Sequence, residues 1–204
     1  MDLAKGARLL GSELTPWLLR YAYGMGAFPM TMESGEVEWF KPVRRALFPI
    51  SGIRVSSSLA KVIRHGKFEV RFDSEFEAVM RGCLRPDDNW ISEEFIRAYG
   101  ECHRQGWAHC CEAWEGSELA GGVYGLAIGT CFCAESMFHT RTNASKVALW
   151  AMVERCRELG FTVFDAQIMN PHLASLGAFE VSEDEYERLL AEALSGTTEW
   201  SREP

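Results

Sequence analysis

The sequence predicts a mixed α/β domain, a sheet with helices on both faces, and three observations carry that expectation. Several short stretches alternate apolar with polar residues as half-buried strands do, Phe68, Val70 and Phe72 against Glu69 and Arg71 being the plainest. A run of apolar residues at helical spacing, Ala144 to Leu159, stands between two apolar strands, which suggests a crossover joining a parallel pair. Both strands end in chemistry. The first carries Cys131, Cys133 and Glu135 at alternate positions, and the second delivers Asp165 and Gln167, two residues apart and so expected on one side. Glu135, Asp165 and Gln167 are therefore expected to open into one crevice.

Taken in order, Met1 to Ser12 shows no strong periodicity and is expected to be loosely attached. Thr15 followed by Pro16 starts a helix carrying Trp17, Leu18, Tyr21 and Tyr23, which Gly24 and Gly26 end. The next piece, AFPMTMESGEVEWFKP, is rich in aromatic, sulfur and turn-forming residues and is expected to pack over another surface. Arg45 to Ile50 and Ile53 to Val55 read as short strands, and Ser56 to Ser58 cap a helix from Leu59 to His65. Ser74 is expected to cap a short helix through Met80 and Cys83, and RPDDN to form a loop presenting Trp90. Ser92 opens a helix from Glu93 to Gln105, which Gly106 closes. Ala108 to Trp114 and Leu119 to Tyr124 form a hairpin about Glu115, Gly116 and Ser117, followed by a strand from Gly129 to Glu135. Asn143 and Ser145 are placed to cap the crossover helix, which Gly160 ends. Ser182 caps a last helix, Glu183 to Leu194, and the tail after Ser195 is expected to fray.

With 204 residues the chain can form one domain plus a small annex, burying roughly 70% of its unfolded surface. It contains no apolar run near the ~20 residues of a membrane span and no secretory pattern, so a soluble cytoplasmic protein is expected. Its seven cysteines are odd in number and include no CxxC, which favours reduced buried thiols. A zinc site from Cys102, His103, His109 and Cys111 would lack standard ligand spacing. A nucleophile at Cys131 or Cys133 would need a base that the sequence does not place.

The net charge is −8, yet Lys41 to Lys67 holds seven basic residues and no acid, while Glu180 to Pro204 carries −6. A basic face on an acidic body suits contact with phosphates, each of which adds roughly 0.7 to 0.9 to the salt slope. An ordinary solvated face is the alternative.

The strings AFPM, NWI, GGVYG, AESMF, NASK, FDAQ and NPHLASLGA occur in that order between about Leu14 and about Leu190. Together they resemble the leucyl/phenylalanyl-tRNA-protein transferases, bacterial enzymes that add an amino acid to a protein N-terminus. The resemblance implies a small N-terminal domain at residues 1–43 and an acetyltransferase-like catalytic domain, a mixed sheet flanked by helices, at 44–204. It implies transfer of Leu or Phe, with Met a further candidate, from aminoacyl-tRNA to a protein's N-terminal Arg or Lys. The product would be a degradation signal, and the enzyme a cytoplasmic monomer needing no metal or cofactor. Between Asn143 and Val147 there is no Q/R-x-x-G-x-G/A loop to wrap a coenzyme A pyrophosphate. A coenzyme A-dependent N-acyltransferase is the alternative enzyme, and a non-catalytic tRNA- or peptide-binding module the third reading.

The same resemblance assigns roles. Asp165 would polarise Gln167, whose oxygen contacts the attacking amine, and Glu135 would help hold the cationic N-terminal residue. A competing version has the 2'-hydroxyl of the terminal adenosine shuttle the proton while these residues only position the reactants. Tyr23, Met30 and Trp90 would contact the adenosine. Val123, Phe132, Leu149, Met152 and Phe164 would line the donor side-chain pocket, although core packing explains these five apolar residues equally well. Arg45, Arg54, Lys61, Arg64 and Lys67 would meet the tRNA. Met30 stands where the family usually has Trp, and Val123 where it usually has Met. Ser57 and Ala60 replace basic positions, so weaker tRNA binding is expected.

Overall fold

The computed structural model describes residues 3–5, 14–32, 34–85 and 90–200. The chain begins with β1 (Leu3–Lys5), α1 (Pro16–Gly24), β2 (Phe28–Thr31), β3 (Val37–Pro42) and β4 (Arg44–Phe48). It continues through α2 (Ser57–Arg64), β5 (Glu69–Phe72), α3 (Phe76–Gly82), α4 (Glu93–Arg104), β6 (Ala108–Glu115) and β7 (Glu118–Ile128). Then come β8 (Cys131–His139), α5 (Ala144–Glu158), β9 (Val163–Gln167), α6 (Pro171–Ser175), β10 (Phe179–Ser182) and α7 (Glu183–Ser195). Side-chain caps fix five helix starts among the described residues: Thr15, Ser56, Ser92, Asn170 and Ser182 each accept from the backbone N–H three residues on.

A three-stranded sheet, β1-β3-β2, stands beside a seven-stranded sheet ordered β10-β4-β9-β8-β7-β6-β5. In the larger sheet β8 and β9 run parallel, with α5 as their crossover, and the other neighbours are antiparallel. One hydrophobic cluster joins α1, α4 and α7 through Leu19, Phe95 and Tyr186. The other packs α2 and α5 against the sheet through Leu59, Val147, Met152, Phe132 and Phe164. The expected mixed sheet with helices on both faces is therefore what forms.

Several local expectations give way. Of Met1 to Ser12, Leu3–Lys5 pairs with β3 instead of lying loose, and the rest lies outside the described residues. Ile53 to Val55 forms no strand, and β7 and β8 run on to Ile128 and His139. Ser74 caps no helix, because its hydroxyl and amide are both drawn to the Glu112 carboxylate. Asn143 precedes α5 in the left-handed region at φ 73 without a side-chain cap, and Ser145 turns to His139 Nδ1. Residues 196–200, expected to fray, are tied down, Thr198 Oγ1 donating to Gly129 O at 2.9 Å, and residues 201–204 lie outside the described residues. Of the RPDDN loop, residues 86–89 lie outside the described residues.

Candidate active site

Strands β8 and β9 pair only as far as Cys133 and Asp165. Beyond that point β8 continues to His139 along β7, whereas β9 ends at Gln167. The wedge between them holds a cavity of about 780 Å³, walled by β8 from Ala134 to His139, by Ala166 to Ile168, by the start of α6 and by Ser145 and Leu149 of α5. Two irregularities aim side chains into it. On β8 the register passes from Tyr124↔Ser136 to Gly125↔Ala134, leaving Glu135 as the extra residue. On β9 it passes from Ala46↔Gln167 to Leu47↔Asp165, leaving Ala166 extra. Bulges bend a strand and redirect its side chains, and here Gln167 Nε2 donates to Glu135 Oε1 at 2.9 Å.

Glu135 also accepts from the Tyr23 hydroxyl at 2.6 Å, and the Tyr99 hydroxyl lies 3.2 Å from its other oxygen. The two phenols are 2.8 Å apart. With Tyr23 donating to Glu135, the single Tyr99 proton serves either Glu135 or Tyr23. Burial pushes the Glu135 carboxyl up to about 7, the bonds from Tyr23, Gln167 and Tyr99 restrain the rise, and the nearby Asp165 charge adds to it. Burial and the Glu135 charge hold both phenols well above the ordinary tyrosine range, so they stay donors. Gln167 directs its NH₂ to Glu135, and among the described residues nothing donates to its carbonyl oxygen, which can accept from an amine.

Asp165 does not share this crevice. It is fully buried, Oδ1 accepting from Arg45 Nε and from Gln167 N, both at 2.8 Å. Its Oδ2 accepts from Arg45 Nη2 at 2.6 Å and from the Tyr186 hydroxyl at 2.7 Å. The bulge at Ala166 breaks the alternation that would have put Asp165 and Gln167 on one side. Asp165 therefore grips the Gln167 backbone, which sits in the left-handed region at φ 61, while the side-chain amide goes to Glu135.

Arg45, expected to meet tRNA, is 1% exposed. It also donates to Gly26 O at 2.9 Å and lies between the Phe28 and Tyr186 rings. Burial opposes its charge, but Asp165 and Tyr186 more than offset this and raise its pKa. The basic run of the sequence is thus divided in space. Lys41 pairs with Glu183 and Glu187, Arg44 with Glu180, and Lys67 with Glu115 at 3.8 Å. Arg54, Lys61 and Arg64 are exposed, and among the described residues no acid pairs with them.

Of the expected substrate contacts, Trp90, Val123 and Leu149 line the cavity. Phe132, Met152 and Phe164 are buried in the adjoining cluster and do not line it. Tyr23 reaches the site through Glu135, and Met30 packs partly buried in the other cluster. The sequence reading missed Tyr99 and Tyr186, whose signal was a hydroxyl carried on an otherwise apolar helix face. Cys102 and Cys111 lie in different clusters, so the zinc set does not converge. Cys133 is fully buried, its pKa raised by the Cys131 contact and by burial, which suits no nucleophile.

Comparisons with known proteins converge on one description. Residues 47–191 match the family model "Leucyl/phenylalanyl-tRNA protein transferase", and residues 12–43 match the model of its N-terminal domain. Proteins named leucyl/phenylalanyl-tRNA–protein transferase are similar over most of their length. The one from Rubrobacter xylanophilus is 48% identical across 89% of this chain and 96% of its own, and that from Herpetosiphon aurantiacus 46% across 89% and 95%. A Cereibacter sphaeroides relative is 46% identical across 92% of this chain and 89% of its own.

Proposed function

The chain belongs to the leucyl/phenylalanyl-tRNA-protein transferase family, and on that premise we propose that it moves Leu or Phe from aminoacyl-tRNA to the N-terminal Arg or Lys of a cytoplasmic protein. The observation that carries the chemistry is the Glu135–Gln167 contact at the open end of the β8/β9 wedge.

The ester of an aminoacyl-tRNA is already activated, so the enzyme must align a neutral amine, for which orientation alone supplies ~7 to 11 kcal/mol. The free Gln167 oxygen accepts a hydrogen bond from that amine and points its lone pair at the ester carbon. As the C–N bond forms, Glu135, poised near 7, takes the proton from the α-amine, whose own pKa is near 8. The C–O bond to the ribose then breaks, and the proton passes to the leaving 3'-hydroxyl. Asp165 positions Gln167 through its backbone, and Tyr23 and Tyr99 hold Glu135 in place.

Residues 1–43 form the small N-terminal unit and 44–204 the catalytic domain in this reading. Trp90 flanks the adenosine, and Val123 and Leu149 meet the donor side chain, with Phe132, Met152 and Phe164 behind them. Arg54 lies against Leu176 and Gly177, just past α6 at the cavity wall, so Arg54, Lys61, Arg64 and Lys67 continue from the cavity as the tRNA face. Coenzyme A-dependent acylation is not favoured. The test mixes the protein with radiolabelled Leu-tRNA or Phe-tRNA and peptides beginning with Arg, Lys or Ala. Label on the Arg and Lys peptides alone is the expected result, and label on none overturns the proposal.

A further inference from the structure

The chain past α7 crosses the turn between β7 and β8. Thr130 N donates to Ala193 O at 2.9 Å and Thr198 Oγ1 to Gly129 O, which straps the segment across the β7–β8 turn. The approach is close enough that a Cβ on Gly129 would stand 2.3 Å from Ala193 O. Trp200 then enters the α5-side cluster. Its ring stacks on His109 at 4.0 Å and 13° and lies over Phe132 at 6.0 Å and 25°. His109 cannot yield, being 1% exposed with Nδ1 2.8 Å from Asp73 Oδ2. From Trp200 the rings run unbroken to the cavity. Phe132 meets Phe164 at 5.2 Å, Phe164 meets Phe48 at 6.0 Å, and Phe48 lines the wall. On its other side Phe132 is seated over Gly125, where a Cβ would come within 2.8 Å of the ring.

We propose that Trp200 is a positioning residue that sets the depth of the donor side-chain pocket through Phe132 and Phe164, an inference that rests on the transferase reading of the cavity. A packed interior holds each ring in place by the atoms behind it. With the indole gone, Phe132 has room to tip away from Phe164, and the wall at Phe48 and Val123 recedes. Apolar pockets separate donors by about 10- to 200-fold per methylene, so a deeper pocket changes the ranking of donors more than it changes the overall rate.

The experiment measures kcat/KM for Leu-, Phe- and Trp-charged tRNA with one Arg-initiated peptide, using the full chain and its Trp200→Ala, Trp200→Leu and Trp200→Phe variants. Trp200→Ala is expected to move the ratio toward the bulky aromatic donors by about tenfold. Trp200→Phe is expected to keep the wild-type ratio, Trp200→Leu to fall between, and the peptide KM to stay unchanged in all three. A fall by one common factor for every donor overturns the inference, because that is what a merely structural tryptophan produces. Should Trp200→Ala not fold, the Leu and Phe variants carry the same comparison. A wild-type chain that transfers from no donor overturns the transferase reading itself, a result distinct from any change among the variants.

Discussion

Glu135 is the residue on which the pH behaviour turns. Its folded-state pKa of about 7 exceeds the ordinary 4.5, so folding takes up a proton between those values. Its contribution to stability is therefore fully present below about pH 4.5 and is lost as pH rises to about 7, at up to about 1.4 kcal/mol per pH unit. Urea unfolding of Glu135→Gln should lack that slope. In the transfer reaction the carboxylate is needed as base and the amine must be neutral, so the rate with wild type should climb through about pH 7 and level off only above the amine's value of about 8, and Glu135→Gln should remove the component near 7 while keeping the one near 8. Asp165→Ala would leave Arg45 buried without its partner, and unfolding in urea should show a loss of about 3 to 5 kcal/mol. Glu135 and Gln167 were legible from residue type and place on the strands. Asp165 was assigned to the crevice because alternation is the default for a strand, and the bulge at Ala166 leaves no mark in one sequence. Arg45 was read as solvent-exposed for a similar reason, since its buried partner lies 120 positions away.

Among elements, β7 shows how backbone economy shapes the site. Gly125 lets the β8 bulge and the Phe132 ring come close, and a Cβ there would stand 2.3 Å from Cys133 O. Gly125→Ala should destabilise the fold by about 1 to 3 kcal/mol, measurable as a lowered midpoint in urea, with transfer activity falling alongside. Helix α2 carries Lys61 and Arg64 on its outer side, next to Arg54. Replacing all three by Ala should reduce the salt slope of tRNA binding by about 2. An unchanged slope in a salt titration would move the RNA contact to another surface. Helix starts were the most legible elements, because a serine or threonine cap is a local event. The starts of α3 and α5 were not, because Ser74 and Ser145 found better partners elsewhere, Glu112 and His139.

Across the whole molecule, runs of opposite charge that are far apart in sequence prove to be neighbours. Strand β10 pairs with β4, and the acids of β10 and α7 reach Lys41 and Arg44. A net positive segment in the sequence therefore became a smaller basic face, and the Arg45–Asp165–Tyr186 knot beneath it holds β4, β9 and α7 to the Gly26 turn. The mixed sheet with its single crossover was readable from periodicity, but long-range pairing of charges was not. What the fold delivers is one acid and one amide facing an open wedge, with a second acid behind them as support. Single-turnover transfer from Phe-tRNA to an Arg-initiated peptide by Gln167→Ala, with Phe-tRNA binding measured separately, tests this most directly. A loss of about 100-fold or more in rate with binding retained is the predicted result, and transfer at the wild-type rate would contradict the account.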